Sequence, residues 1–304
     1  MTPRLAALPL CLLALLATPA CSVKKFAINK LGDSLANSGT TYSADDDPEL
    51  VGQALPFSLK LVEGLLAESP KHRGLLFAAA SGFTEYAYAY IQQEADLAEP
   101  DDLSKSTDLR ARARRLYLRA RDYGLRGLDV RNRGFSERLG RNPKSAVRDA
   151  VKGDVPLLYW TAASWASAIA VSKDNPRLIA EQPTVEALID RALELDPDFD
   201  FGAIHGFLIS YEPARQGVAG DPLARSRAHF NRAVELTHGQ LASPFVSLAE
   251  TVSVQTQDRA EFESLLKRAL AVDPDARPAW RLQNLIVQRR ARWLLAREEY
   301  LFAD

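Results

Sequence analysis

Recognisable catalytic and metal-binding motifs are absent from this sequence of 304 residues. It contains no G-x-S-x-G nucleophile turn, no H-E-x-x-H zinc pair, no Walker phosphate loop and no dinucleotide-binding G-x-G-x-x-G after a strand. Cysteine pairs are lacking, and the histidines are scattered without metal-ligand spacing: His72, His205, His229 and His238. We therefore predict that the protein is not an enzyme and that it uses no metal and no other cofactor.

Two short matches to functional motifs have ordinary explanations. Residues 196–202, DPDFDFG, begin like a calcium loop, but Phe201 and Phe207 occupy the positions of the required glycine and of the last acidic ligand. A turn between two helices explains the segment better. Ser264 and Lys267 match the S-x-x-K pattern of acyl-transfer enzymes, but its companion motifs are missing and the pair lies in an amphipathic helix.

Cysteine occurs only at positions 11 and 21, and the first of these lies inside an apolar leader. Residues 1–20 have one basic residue, Arg4, then an apolar segment, then small residues before Cys21. This pattern is typical of a secretory signal peptide and is too short for a comfortable membrane span. The mature chain would keep a single cysteine at its N-terminus, where no intramolecular disulfide can form.

The position of Cys21 resembles the cleavage site of a bacterial lipoprotein, whose thiol is diacylated after export. Thr18 stands where leucine is usual, and ordinary signal cleavage with Cys21 as an incidental thiol is the alternative. We predict a periplasmic lipoprotein that touches the membrane only through this N-terminal lipid. Because Ser22, not aspartate, follows the cysteine, we expect the outer membrane.

No excess of charge of either sign marks the whole chain, which has a formal net charge of −1 with 25% charged and 47% hydrophobic residues. This is the composition of a soluble globular protein. Residues 110–133 are the local exception, with nine arginines. We interpret them as a solvated helix face or as a docking face for an acidic partner. Nucleic acid is not an expected partner behind a signal peptide.

Strand-length alternation of apolar and polar residues is also lacking, so we predict an all-α fold. A short Arg-Ala cadence in amphipathic helices returns at intervals of about 36 residues or twice that, around Ala120, Ala192, Ala233 and Ala269. This period predicts a degenerate TPR-like helix-hairpin array, an α-solenoid or superhelical bundle. An ordinary helical bundle with chance similarity is the alternative.

The helices are predicted at residues 49–68, 74–97, 109–130, 155–172, 184–195, 200–214, 222–237, 244–254, 259–272 and 278–302, with a shorter candidate at 24–35. Asp45, Asp46 and Asp47 are predicted to start the first long helix. Residues 155–172 approach the length of a membrane span, but we favour a buried helix. The predicted organisation is a signal peptide at 1–20, a lipid-anchored segment at 21–47 and a TPR-like repeat domain at 48–304.

Aromatic residues concentrate on the two least charged helices, at 74–97 and 155–172. Their simplest role is core packing. The functional interpretation is an apolar cavity or channel between helices, with hydroxyl and indole groups as polar handles for a ligand. The candidates for lining it are Phe83, Tyr86, Tyr90, Tyr159, Trp160 and Trp165.

These features together resemble one known family, the T component (TatT) of tripartite ATP-independent periplasmic (TRAP) transport systems. The resemblance extends over nearly the whole mature chain. It rests on CSVKKFAINKLGDSLA, DDDPELV, AAASGFTEYAYAYIQQEAD, RARRLYLRARDYGLRGLD, LYWTAASWASAIA, GDPLARSRAHFNRAVEL, DRAEFESLLKRALAVDPDARP and RLQNLIVQRRARWLL.

The resemblance implies a periplasmic lipoprotein of TPR-like helix pairs that forms a homotrimer. It implies binding to the solute-binding P component, with an apolar channel in each subunit for a hydrophobic small molecule. A ligand-free TPR-like scaffold that organises an envelope assembly is the second hypothesis. An enzyme on a helical-repeat scaffold is the third, and the missing motifs argue against it.

Overall fold

The protein is described by a computed structural model that covers Lys30, residues 39–215 and residues 217–303. These residues form helices joined by short turns, and no β-strand occurs among them. The prediction of an all-α fold is confirmed. The predicted signal peptide, Cys21 and most of the helix candidate at 24–35 lie outside the described residues.

The first two long helices start within about a residue of their predicted positions, because the residues that start them are local. The start predicted at 109 was wrong, because Asp102 caps that helix and it begins at Leu103. Asp47 caps the first long helix by accepting a hydrogen bond from the Leu50 N–H at 2.9 Å, which confirms the predicted start. The elements are α1 (Gly39–Ser43), α2 (Pro48–Glu68), α3 (Arg73–Tyr86), a π-helical segment π1 (Ala87–Gln92), α4 (Gln93–Ala98) and α5 (Leu103–Arg131).

The middle of the chain contains α6 (Phe135–Arg141), α7 (Pro143–Ala146), α8 (Val155–Ala170), α9 (Pro176–Ile179), α10 (Gln182–Leu195) and α11 (Phe199–Tyr211). Helix α8 is buried over most of its length, as predicted for residues 155–172. Among the described helices, α2 is long and apolar enough to cross a membrane by length and composition alone, with 28% of its most apolar window buried.

The C-terminal helices are α12 (Pro222–Thr237), α13 (Ser243–Leu248), a second π-helical segment π2 (Ala249–Ser253), α14 (Arg259–Ala271), α15 (Arg281–Leu295) and α16 (Glu298–Leu301). The prediction of one continuous helix from 278 to 302 was wrong. A 3₁₀ turn at Pro278–Trp280 precedes α15, and the helix stops at Leu295 before the short α16. Periodicity alone did not reveal either break.

Most of the main helix contacts join elements that are close in sequence. Helix α5 packs between α3 and α8, α8 packs on α10, α11 on α12, and α14 on both α13 and α15. The crossing of α5 and α8 depends on glycine. A Cβ on Gly124 would lie 2.1 Å from the Thr161 Oγ1, so no larger residue fits there without movement.

Two hydrophobic cores result from this packing. The first is built mainly by α2, α3, α5, α8 and α10, and the second by α12 to α15. Helix α11 belongs to both, because Ile204 and Leu208 pack into the first core while Ile209 packs into the second. The small residues singled out by the Arg-Ala cadence are all buried: Ala120, Ala192, Ala233 and Ala269.

The two ends of the helix array contact each other. Helix α1 packs against α15 and the 3₁₀ turn before it, and α2 also contacts α15. Arg281 donates a hydrogen bond to the Ala44 carbonyl at 2.9 Å, and Arg289 pairs with Glu49 at 3.1 Å. We infer from these contacts that the helices close into a ring. We call the α1/α2 contact with α15 the seam.

Candidate functional site

Glu85 on α3 is a carboxyl group that is accessible to solvent and yet surrounded by protein. Glu85 has accessible surface, so it is not packed into the core. Its pKa is nevertheless raised to about 7, mainly by burial and also by the charge of Asp200. We infer from this combination that Glu85 faces an enclosed space between the helices and not bulk water. We call this space the lumen.

Tyr159 on α8 and Asp200 at the start of α11 border the lumen beside Glu85. Burial raises the pKa of the Tyr159 hydroxyl, and the charges of Asp200 and Glu85 raise it further. The pKa of Asp200 is raised by burial, while the Arg277 guanidinium opposes that shift. Three titratable groups from three helices thus share one poorly solvated region, which lies between the two cores.

The side chains of Asp200 and Phe201 project from a backbone segment with an unusual conformation. Asp200 (φ 44°), Phe201 (φ 54°) and Gly202 (φ 90°) are consecutive left-handed residues, a conformation that costs the two non-glycine residues about 1 kcal/mol or more each. A Cβ on Gly202 would lie 3.0 Å from Leu236 and 3.4 Å from the Ala233 backbone. Glycine is needed here both for its φ and for the close packing of α12.

This left-handed segment also places an aromatic group in accessible space. Phe201 is 45% exposed. Its ring meets the Trp280 ring edge-on at 5.4 Å, and the Arg277 guanidinium lies over both rings, 4.0 and 3.8 Å from their centroids. Strained backbone residues cluster at binding and active sites. Here the strained segment carries an aromatic ring that is accessible and that its neighbours hold in place.

A second polar group borders the lumen between α4 and the C-terminal helices. Arg290 on α15 donates to Glu250 at 2.7 and 3.0 Å and pairs with Asp96 at 3.1 Å. Tyr88 is 44% exposed, yet its pKa is raised to about 12, first by burial and then by the charge of Glu250. Tyr88 therefore also faces enclosed space.

Both π-helical segments contribute to this polar group. Tyr88 lies in π1 and Glu250 lies in π2, and the charge of Glu250 acts on Tyr88. A π turn inserts one residue into a helix and rotates the side chains that follow, and such turns are frequent at functional sites. The two π segments thus each carry one member of this pair of interacting polar groups.

The six aromatic residues predicted to line a ligand cavity do not form one cluster. Tyr86 stacks on Tyr90 with centroids 5.8 Å apart, and Tyr159 meets Trp160 edge-on at 5.1 Å. Tyr86 is buried, whereas Tyr90, Tyr159 and Trp160 keep partial accessibility. Of these four, Tyr159 lies with the carboxyl groups of the lumen.

Phe83 and Trp165 point to other neighbours. Phe83 is buried and stacks on Tyr123 at 6.0 Å. Trp165 is buried under the Arg121 guanidinium and donates its indole N–H to Glu181 at 2.6 Å. The assignment of the six residues to a ligand channel stays a prediction, and the contacts support it best for Tyr159.

Sequence reasoning missed the carboxyl groups of the lumen, although one signal was present. Glu85 is the only charged residue between positions 74 and 91. An isolated carboxylate on an apolar helix is costly to bury and therefore points to a polar site. Across the part of the chain that the structure describes, no cluster of three or more histidine, cysteine or acidic side chains could hold a metal ion.

The groups around Glu85 and Tyr88 offer hydrogen-bonding partners for a ligand. A carboxyl with a pKa of about 7 is half protonated at neutral pH, so Glu85 can donate as well as accept a hydrogen bond. Tyr88 and Tyr159 stay protonated and can donate. The aromatic and aliphatic walls beside them suit a ligand that is largely apolar and carries a polar end.

Comparison with known proteins bears on the family of this chain. The chain is 27% identical over 302 residues to an uncharacterised protein of Treponema pallidum (strain Nichols), an alignment that covers 93% of this chain and 94% of that protein. The family model of the TRAP transporter T-component matches residues 44–302, which include both cores and every described lumen residue. The chain therefore belongs to the TRAP transporter T-component family.

Proposed function

We propose that this protein is a periplasmic binding component of a TRAP transport system that docks with the solute-binding P component and holds a hydrophobic ligand in the lumen. Membership of a family of transport accessory components, not of enzymes, supports the first part. The lumen supports the second part. We also propose that the helix array is TPR-like, since its neighbours in space are mostly neighbours in sequence.

The ligand proposal is supported by Glu85 and Tyr88, two polar side chains that are accessible to solvent and yet have pKa values raised mainly by burial. A chain that needed only a scaffold would cover its apolar surfaces with one another. Here two π segments and three left-handed residues instead place Tyr88, Glu250 and Asp200 where they are accessible but enclosed. These features cost folding free energy, and a bound solute with a polar end gives them a use.

Co-purification tests the ligand proposal. Purified protein should carry lipid-like molecules that native mass spectrometry detects intact and organic extraction releases. Glu85→Trp should fill the lumen and remove them, whereas the matched change Glu194→Trp, on the exposed face of α10, should leave them bound. Wild-type protein that is empty by both methods would contradict ligand binding and leave the ligand-free scaffold.

Anchoring and assembly complete the proposal. Diacylated Cys21 would hold the protein at the outer membrane, since two acyl chains anchor a protein stably where one does not. Cys21→Ala should release it into the soluble periplasmic fraction. A homotrimer is proposed from the family resemblance, and light scattering of the purified protein would measure it directly.

A further inference from the structure

The outer side of α5 carries a row of arginines that the lumen does not use. Arg112, Arg115, Arg119 and Arg126 are all exposed. Their spacings of three, four and seven residues place them on one side of a helix. The other sides of α5 are occupied by its packing against α3 and α8. We call these four residues the arginine face.

Other groups of the protein do little to neutralise the positive charges of Arg112 and Arg115. Arg115 has no ion-pair or hydrogen-bond partner within residues 39–215 and 217–303. Arg112 donates only to the neutral Tyr86 hydroxyl, at 3.3 Å. Like charges three and four residues apart destabilise a helix. The row of arginines therefore costs folding free energy, and the few contacts of Arg112 and Arg115 do not offset it.

The positive charges of Arg119 and Arg126 are only partly neutralised by their neighbours. Arg119 lies 3.6 Å from Glu63, but that carboxylate already accepts from Lys60 at 2.5 Å and from the Tyr123 hydroxyl at 2.7 Å. Arg126 donates to the Pro70 carbonyl at 3.2 Å and covers the Tyr123 ring. The face therefore stays positive, and Lys60 extends its charge onto α2.

The arginine face also has a shape that can receive a side chain. An open pocket of about 400 Å³ lies on it, and its walls combine guanidinium groups with an aliphatic side chain, an aromatic side chain and the Asp122 carboxylate. That carboxylate is paired with Arg121 at 2.8 Å, so the pocket keeps an excess of positive charge. Guanidinium forks bind carboxylates with two parallel hydrogen bonds, and arginine and tyrosine are enriched where proteins bind one another. The lining residues are Arg115, Leu118, Arg119, Asp122, Tyr123 and Arg126.

We propose that the arginine face is the surface of this protein that docks with an acidic patch on the solute-binding P component. This inference rests on the proposed function, and it adds which side of the ring meets the partner and by what chemistry. A glutamate or aspartate of the partner enters the open pocket between Arg115 and Arg119. The remaining arginines orient the two proteins as they approach.

Binding of the solute-binding component encoded with this protein tests the inference. Arg112→Glu/Arg115→Glu changes the two arginines with the fewest internal contacts and should raise the Kd at least about tenfold, mainly through slower association. Arg112→Gln/Arg115→Gln should act in the same direction but less. The control Arg177→Glu/Arg292→Glu changes net charge equally on exposed positions of α9 and α15 and should stay within about twofold of wild type.

Each outcome separates the inference from the proposed function. Wild-type binding that weakens with salt and with the α5 variants, but not with the control, supports the docking face. Equal binding by wild type and the α5 variants, or equal loss in the control, overturns the inference and leaves the proposed function standing. A wild-type protein that does not bind overturns both. A changed oligomeric state in the α5 variants would instead assign this face to contacts between copies of the chain.

Discussion

The two hydrophobic cores bring their helices together by different means. In the first core, α5 and α8 approach so closely that Gly124 and Thr161 leave no room for a methyl group. In the second core, alanines stand at the crossings and aromatic rings fill the space between helices, as where Phe230 meets Phe245 edge-on at 5.6 Å. Both cores contain large side chains, but the closest approach of two helices in the first core depends on a glycine.

The comparison shows which helix contacts a repeat search can detect. The Arg-Ala cadence marks alanines in both cores, Ala192 in the first and Ala233 and Ala269 in the second. The glycine contacts, Gly124 with Thr161 and Gly202 with Leu236, follow no repeat in the sequence, although they serve the same purpose of closing a helix pair. A helical array can therefore be continuous in space while only part of it looks repetitive.

The largest effect should come from filling an alanine crossing in either core. Ala269→Trp in the second core and Ala192→Trp in the first should each lower the free energy of unfolding by roughly 3 kcal/mol or more, because both sites are fully buried and overpacking forces helices apart. Urea unfolding followed by circular dichroism measures this. Glu194→Ala on the exposed face of α10 is the control and should change stability by less than about 0.5 kcal/mol. Equal small effects at all three sites would contradict the alanine crossings.

A smaller effect should come from one methyl group at the glycine crossing. Gly124→Ala should cost roughly 2 kcal/mol, since its Cβ would lie 2.1 Å from the Thr161 Oγ1. Gly64→Ala on α2 is the matched control, because nothing lies within 4 Å of its Cβ position. That change should instead stabilise the protein by about 0.5–1 kcal/mol through helix propensity. If both substitutions stabilised the protein, the two cores would not differ as described.

The smallest effect should come from the histidine pair that links the two cores. His205 on α11 and His229 on α12 share a hydrogen bond between their Nδ1 atoms at 2.8 Å, which requires at least one neutral ring. The pKa of His205 is lowered to about 4, mainly by burial and then by the charge of His229, and burial also lowers the pKa of His229. Both rings thus prefer to be neutral in the folded protein.

The sign of the pH dependence follows from these shifts. An unfolded histidine titrates near pH 6.5, so the contribution of the pair is complete above that pH and is lost as the pH falls toward 4. The loss should be roughly 1–2 kcal/mol. His205→Asn should flatten the stability profile between pH 7 and 4, and the exposed control His238→Asn should not. Chemical unfolding at several pH values measures this dependence. If the slope of stability against pH were the same in His205→Asn as in the wild type, the histidine pair would not be its cause.

Sequence reasoning succeeded where structure is decided by neighbouring residues. Asp47 and Pro48 start α2, Ser69 and Pro70 end it, and these signals gave its limits within a residue. The left-handed residues 200–202 could not be predicted, because Gly202 is fixed by Leu236 on another helix. The π segments and the seam depend on contacts between distant parts of the chain. The acidic groups Glu85 and Asp200 were not predicted from the sequence, and the aromatic lining that was predicted, Tyr159 included, stays a prediction.

The seam has a mechanical consequence for a protein that is tethered by its N-terminus. Tension on such a tether reaches the folded ring through α1, which packs on α15 as well as preceding α2. The pull is therefore divided between the first and last parts of the chain, across Arg281 with the Ala44 carbonyl and Arg289 with Glu49. A linear stack of helices held at one end could be peeled one helix at a time. This ring would bear the load at its closure, where both cores resist together.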